Sequence, residues 1–182
     1  MRTPEPTHDE SHNDAELDRV RASYERYDTE ASEQIRRDAA NPGLARLISE
    51  WHGRLVERLE NESGLDLSTA RILDVGCGTG GLLDSLIRAG ADPSKCFGVD
   101  LMPNRVAIAS GRLPGARISV GDAGALDFGS DEFDLVCMSM VVSSIPSDEL
   151  AGTVCGEALR VVKPGGTVAW YDIRTPNPMN PD

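Results

Sequence analysis

Residues 72–81 read Ile72-Leu73-Asp74-Val75-Gly76-Cys77-Gly78-Thr79-Gly80-Gly81, and this stretch decides the fold. It opens as the end of a buried strand. Leu82, Leu83, Leu86 and Ile87 follow it, apolar at helical spacing. Strand, glycine turn and helix in that order form a site for a nucleotide-type ligand. Glycines let the backbone approach the ligand, and a helix N-terminus offers unpaired N–H groups.

Outward from the glycine turn, strand and helix alternate. Strands are predicted over 71–75, 95–99, 116–120, 133–140 and 167–173, and helices over 80–89, 103–112 and 148–162. Repeated strand–helix units imply a parallel sheet with right-handed crossovers and helices on both faces. The link from Asp122 to Glu132 has room for little more than a turn, and Pro164-Gly165-Gly166 ends the last helix. Towards the N-terminus, Leu17, Val20, Tyr24, Tyr27, Ala31 and Ile35 recur at helical spacing. Asn41-Pro42 then caps a second helix with Leu44, Leu47, Ile48, Trp51, Leu55 and Leu59 on one face, ending at Gly64. The expected organisation is a disordered tail over 1–14, a helical cap over 15–66, and a doubly wound Rossmann-like α/β core over 67–182 with strand order 3-2-1-4-5.

In an open parallel sheet, ligands bind beyond the carboxyl ends of the strands, at the point where strand order reverses. Asp74, Asp100 and Asp122 stand at the ends of the first three predicted strands. A carboxylate after strand two suits a ribose diol, and one after strand three can accept from an adenine amine. Asp74, beside the glycine turn, suits an amino-acid ammonium. Each aspartate alone is also a common turn former or helix cap; it is their shared placement that points to a site. A ligand with a ribose, an adenine and a positive charge is S-adenosylmethionine. Gly76, Gly78 and Gly81 also satisfy the dinucleotide pattern G-x-G-x-x-G, so an NAD-dependent oxidoreductase is the competing reading. Asp74 and Asp122 argue against it, because a pyrophosphate is repelled by a carboxylate beside its turn.

The chain has 182 residues, 40% hydrophobic and 26% charged, a one-domain composition able to bury a core. Its net charge is -12, with no polybasic run, which disfavours partners recognised through nucleic-acid phosphates. Cys77, Cys96, Cys137 and Cys155 are too far apart for a paired metal site, and three of them sit in or beside apolar strand or helix patterns and read as small buried hydrophobes, so no metal is expected. Residues 1–14 lack an apolar centre, and no apolar run reaches membrane-spanning length. The expected location is the reducing cytoplasm.

From Ile72 onward the chain resembles the class I S-adenosylmethionine-dependent methyltransferases. Ile72–Gly80 is similar to their first motif, Phe97-Gly98-Val99-Asp100 to their ribose segment, and Gly121-Asp122-Ala123 to their adenine segment. Phe133-Asp134-Leu135-Val136 and Leu159-Arg160-Val161-Val162-Lys163-Pro164-Gly165-Gly166 match the motifs at and after strand four. The resemblance covers roughly residues 68–175. Val142-Ser143-Ser144-Ile145, Trp170-Tyr171-Asp172-Ile173-Arg174 and Asn177-Pro178-Met179-Asn180-Pro181 look like an uncharacterised bacterial branch of that superfamily. The resemblance implies donor-binding residues Asp74, Gly76, Cys77, Gly78, Gly80, Asp100, Leu101, Asp122, Ala123 and Ser139.

Two departures qualify the resemblance. Members normally continue past strand five through a helix and strands six and seven, whereas this chain stops at Asp182. The expectation is therefore a truncated chain or natural fragment whose open strand-five edge is covered, for instance in a homodimer. Many relatives also carry a histidine near the end of strand four, where Ser143 and Ser144 stand here. The catalytic residue is left open, with Ser143, Ser144, Tyr171 and Asp172 as candidates; Tyr24 and Tyr27 read as core residues first. The Asn177-Pro178 and Asn180-Pro181 pairs read as a proline-rich turn rather than an amino-methylation motif. The expected function is methyl transfer from S-adenosylmethionine to a small-molecule acceptor, with a donor-binding fragment or pseudoenzyme as the alternative.

Overall fold

Buried on both faces of the sheet, the central strands need near-continuous apolar sequence. β1 (Ile72–Val75), β2 (Cys96–Asp100) and β4 (Phe133–Ser139) supply it: β1 and β2 are buried throughout. The computed structural model describes residues 15, 17–22, 25, 42–145 and 147–172. β3 (Arg117–Val120) and β5 (Val162–Tyr171) flank the central strands, and the order is β3-β2-β1-β4-β5, every pair parallel. The expected order is the observed one. Between Val120 and Phe133 the chain makes turns but no helix or strand.

Helices cover both faces. On one, α1 (Pro42–Glu62) and α2 (Gly81–Arg88) pack against β1: Leu59, Leu82, Leu83 and Leu86 close a core with Ile72, Cys96, Leu135 and Cys137, flanked by Trp51, Leu55 and Val56. α3 (Pro103–Arg112) starts with its proline in the first turn, and Leu113 after it joins the same core. On the other face lies α4 (Asp148–Val161), whose Leu150, Val154, Ala158 and Val161 pack on Leu73, Val75, Val136 and Met138. Ser147 caps α4 by accepting from the Leu150 N–H at 3.2 Å, with Asp148 and Glu149 in the first turn and Arg160 in the last. Residues 17–22 are helical, and Leu17 packs against this second core. Tyr24, Tyr27, Ala31 and Ile35 of the predicted first helix, the Asn41 cap, and the Asn-Pro turn after Asp172 lie outside the described residues.

β5 starts earlier than predicted. Val162 already pairs with Phe133, directly after α4, and Thr167 then pairs with Leu135. Two steps along β4 thus match five along β5, so the bulge at Lys163–Gly166 sets four residues opposite one. Gly165 there has φ 79°, and a side chain on Gly166 would meet the Asp134 carbonyl at 3.1 Å. Proline and two glycines read as a turn, but the backbone carries them inside the strand as its bulge. β5 forms one edge of the sheet and exposes Trp170 and Tyr171. Among the described residues no helix is long and apolar enough to cross a membrane.

Candidate functional site

The order reverses between β1 and β4, and the glycine turn after β1 lies at that reversal. Its path is fixed from below: the Gly76 and Cys77 N–H groups donate to the Val99 carbonyl at 2.8 and 3.0 Å, and the Gly80 N–H to the Cys77 carbonyl at 2.9 Å. Gly76 has φ 68°, and a side chain there would sit 2.6 Å from Val141 Cγ2. Gly80, at φ 80°, caps α2 and leaves only 2.7 Å to Leu113 Cδ1. Positive φ and close approach together make any L side chain costly at either position. Arg112 closes the outer side by donating to the Thr79 carbonyl at 3.2 Å.

Two charged residues are buried beside this turn, Asp74 at 2% exposure and Asp100 at 7%. Asp100 is engaged by the backbone: its Oδ2 accepts from the Gly78 N–H at 2.8 Å and its Oδ1 from the Met102 N–H at 2.9 Å. Each oxygen keeps a further lone pair for a ligand hydroxyl. Asp74 is different. Its Oδ1 is buried without a hydrogen-bond partner. Burial first, then the charge of Asp100, push its carboxyl up to about 8. Burial first, then the same two aspartates, also drive the Cys77 thiol far above its usual range.

The third predicted acid closes the row. The Gly121 N–H donates to the Asp100 carbonyl at 3.0 Å, so the end of β3 is tied to the end of β2. Asp122 follows, half-buried, its Oδ1 accepting from the Gly124 N–H at 2.7 Å in a turn that also sets Ala123 against the second core. Leu101 and Ser139 are half-buried at the ends of β2 and β4. The structure thus gathers Asp74, Gly76, Cys77, Gly78, Gly80, Asp100, Leu101, Asp122, Ala123 and Ser139 along one rim of the sheet.

Of the four catalytic candidates, Ser143 and Asp172 are joined by a hydrogen bond, and Ser144 is the next residue in the chain. A turn of 3-10 helix, Val142–Ser144, follows β4, and Val141 before it presses on Gly76. The Ser143 N–H donates to Asp172 Oδ2 at 3.1 Å, which also accepts from Trp170 Nε1 at 3.3 Å. Ser143 Oγ is buried without a partner, while Ser144 Oγ donates to the Met140 carbonyl at 3.1 Å. Tyr171 instead stacks on Trp51 of α1, ring centroids 4.3 Å apart. Sequence reasoning missed His52, whose Nδ1 lies 2.8 Å from Ser85 Oγ; Ser85 in turn donates to the Gly81 carbonyl at the start of α2. Burial holds this imidazole below the ordinary 6.5. The signal available was Ser85, four residues after Gly81 on the turn's own helix. Among the described residues no group of His, Cys, Asp and Glu could hold a metal ion.

A buried carboxyl oxygen without a partner suits a cation, and carboxylates at two adjacent strand ends suit a diol and an exocyclic amine. The residues present therefore fit S-adenosylmethionine. Comparison with known proteins agrees. The family model described as "Methyltransferase domain" matches residues 72–166. The phthiotriol/phenolphthiotriol dimycocerosates methyltransferase of Mycobacterium leprae is 36% identical over 115 residues, which cover 62% of this chain and 41% of the relative. The structure of SAM-bound CalS10, an amino pentose methyltransferase from Micromonospora echinaspora, superposes with TM-score 0.65 at 27% identity, covering 76% of this chain and 56% of the other. The [4+2]-cyclase SpnF superposes with TM-score 0.55 at 28% identity, over 64% and 43%. This chain spans about half the length of the curated relatives it matches. Motif order, sheet order, site geometry and family match agree: the chain belongs to the class I S-adenosylmethionine-dependent methyltransferases.

Proposed function

We propose that this chain binds S-adenosylmethionine along the β1–β3 rim and that the protein transfers its methyl group to a small-molecule acceptor. The unpartnered buried oxygen of Asp74 carries the reading. In this assignment Asp74 faces the amino-acid ammonium, Asp100 the ribose diol and Asp122 the adenine amine, while Gly76, Cys77, Gly78 and Gly80 present backbone. Leu101, Ala123 and Ser139 line the crevice. When bound, the donor supplies a methyl group on a sulfonium, with its leaving group built in. The protein's part is to align an acceptor with that bond and exclude water, a positioning effect worth roughly 7–11 kcal/mol.

The acceptor side falls at the ends of β4 and β5, where Ser143, Ser144 and Asp172 meet next to Val141. Relatives named as a phthiotriol/phenolphthiotriol dimycocerosates methyltransferase and as an amino pentose methyltransferase support a small organic acceptor. SpnF, named as a cyclase on a similar fold, favours donor binding without methyl transfer as the second reading. A second copy pairing along the outer edge of β5, which is unpaired among the described residues, completes the proposal.

Calorimetry tests the donor site. S-adenosylmethionine and S-adenosylhomocysteine are expected to bind at micromolar concentration. Asp100→Ala removes the ribose acceptor and unties the Gly78 and Met102 N–H groups, so affinity falls at least tenfold. Binding of NAD in their place would overturn the assignment.

A further inference from the structure

We infer that the cofactor-free protein holds Asp74 as the neutral carboxylic acid, and that capture of the donor's amino-acid ammonium expels this proton to solvent. The inference rests on the donor site proposed above. Its basis is what surrounds the carboxyl group.

Asp74 pairs in register with Gly98 of β2 on one side and Cys137 of β4 on the other. Register partners in a parallel sheet project to the same face, so its lateral neighbours are a residue with no side chain and a fully buried thiol. The space over Gly98 is taken by Cys77, whose Sγ lies 2.8 Å from the position of a Cβ there. Asp100, two residues beyond Gly98, projects to the same face roughly 7 Å further along the strand. The titratable groups facing Asp74 are therefore Asp100 from β2, Cys77 from the turn and Cys137 from β4. On the helices packed against this face, His52 of α1 and Arg112 of α3 reach only the far end of the turn, 3.7 and 3.9 Å from a Cβ position at Gly81, and burial and Asp100 are what displace Asp74. An uncompensated charge in such a place is relieved by taking up a proton. The upward displacement of its carboxyl to about 8 agrees with this geometry.

Binding then exchanges one positive charge for another. The acid's O–H bond breaks, the proton passes to buffer, and the resulting carboxylate faces the ligand's ammonium; no electron is transferred. A ligand with the adenine and ribose but no amino-acid group gives Asp74 no reason to ionise.

The test is calorimetry of S-adenosylhomocysteine with the whole chain at pH 7, in two buffers of different ionisation enthalpy. The expected result is release of about one proton per ligand bound, and an apparent Kd that falls about tenfold from pH 6 to pH 7 and levels off above pH 8. 5′-Methylthioadenosine is expected to bind without that release. Asp74→Asn, nearly isosteric, is expected to lose it as well and reports any contribution from the ligand's own amine. Equal enthalpies in the two buffers, or a flat pH profile, overturn the inference and leave the donor site standing. Absence of S-adenosylhomocysteine binding to the folded chain overturns both.

Discussion

Asp74 and Asp100 share a face of the sheet and a charge type, yet the fold treats them differently. Asp100 is answered by two backbone N–H groups, whereas Asp74 Oδ1 is answered by none. The difference has a consequence for stability. Unfolded, Asp74 ionises near the ordinary 3.8, but folded and cofactor-free only near about 8. Between those values the folded state holds the extra proton, so stability falls as pH rises through the window. Asp74→Asn removes that dependence. Its gain in Tm over wild type should be near zero at pH 4, grow steadily to pH 8, and then level off. Thermal melts of the cofactor-free proteins read this directly, and a pH-independent difference contradicts it. The three aspartates were legible in the sequence because each ends a strand, and strand ends can be counted from apolar runs. That Asp74 lies between Gly98 and Cys137 was not legible, because register across a parallel sheet is set by packing far from the residue. His52 escaped for the same reason: its partner Ser85 is 33 residues away.

Elements built from buried runs and capped ends were read within a residue or two. α3 matches its predicted range of 103–112, and α4 ends at Val161 rather than 162. β5 was misplaced by five residues at its start, because Pro164-Gly165-Gly166 has turn chemistry whether it ends a strand or bulges one. The turn between β1 and α2 offers a quantitative check on element geometry. Gly76→Ala imposes a strained left-handed backbone and pushes against Val141 Cγ2. Together these should cost about 2–3 kcal/mol in urea unfolding. Adding Val141→Ala should return the steric share and leave the backbone share of about 1–2 kcal/mol. Full recovery in the double variant would mean that φ at residue 76 carries no strain.

At the scale of the whole molecule, no described strand pairs with the outer edge of β5, where Trp170 is 60% exposed. A second copy paired along that edge predicts a dimer in sedimentation velocity that dissociates on dilution. Trp170→Lys, a charge on an exposed edge position, should give monomers at every concentration while the far-UV spectrum stays that of the folded chain. A wild-type chain that sediments as a monomer at every concentration rules the pairing out. The interior has a consequence of another kind. Cys77, Cys96 and Cys137 are buried, and burial pushes all three thiols upward, Cys96 to about 11. Cys155, on α4, is only half-buried. A thiol reagent added to the folded chain thus meets Cys155 first and reaches the other three only as fast as the sheet opens. The chain carries clocks for its own breathing, with Cys77 timing the glycine turn and Cys96 and Cys137 timing the central strands.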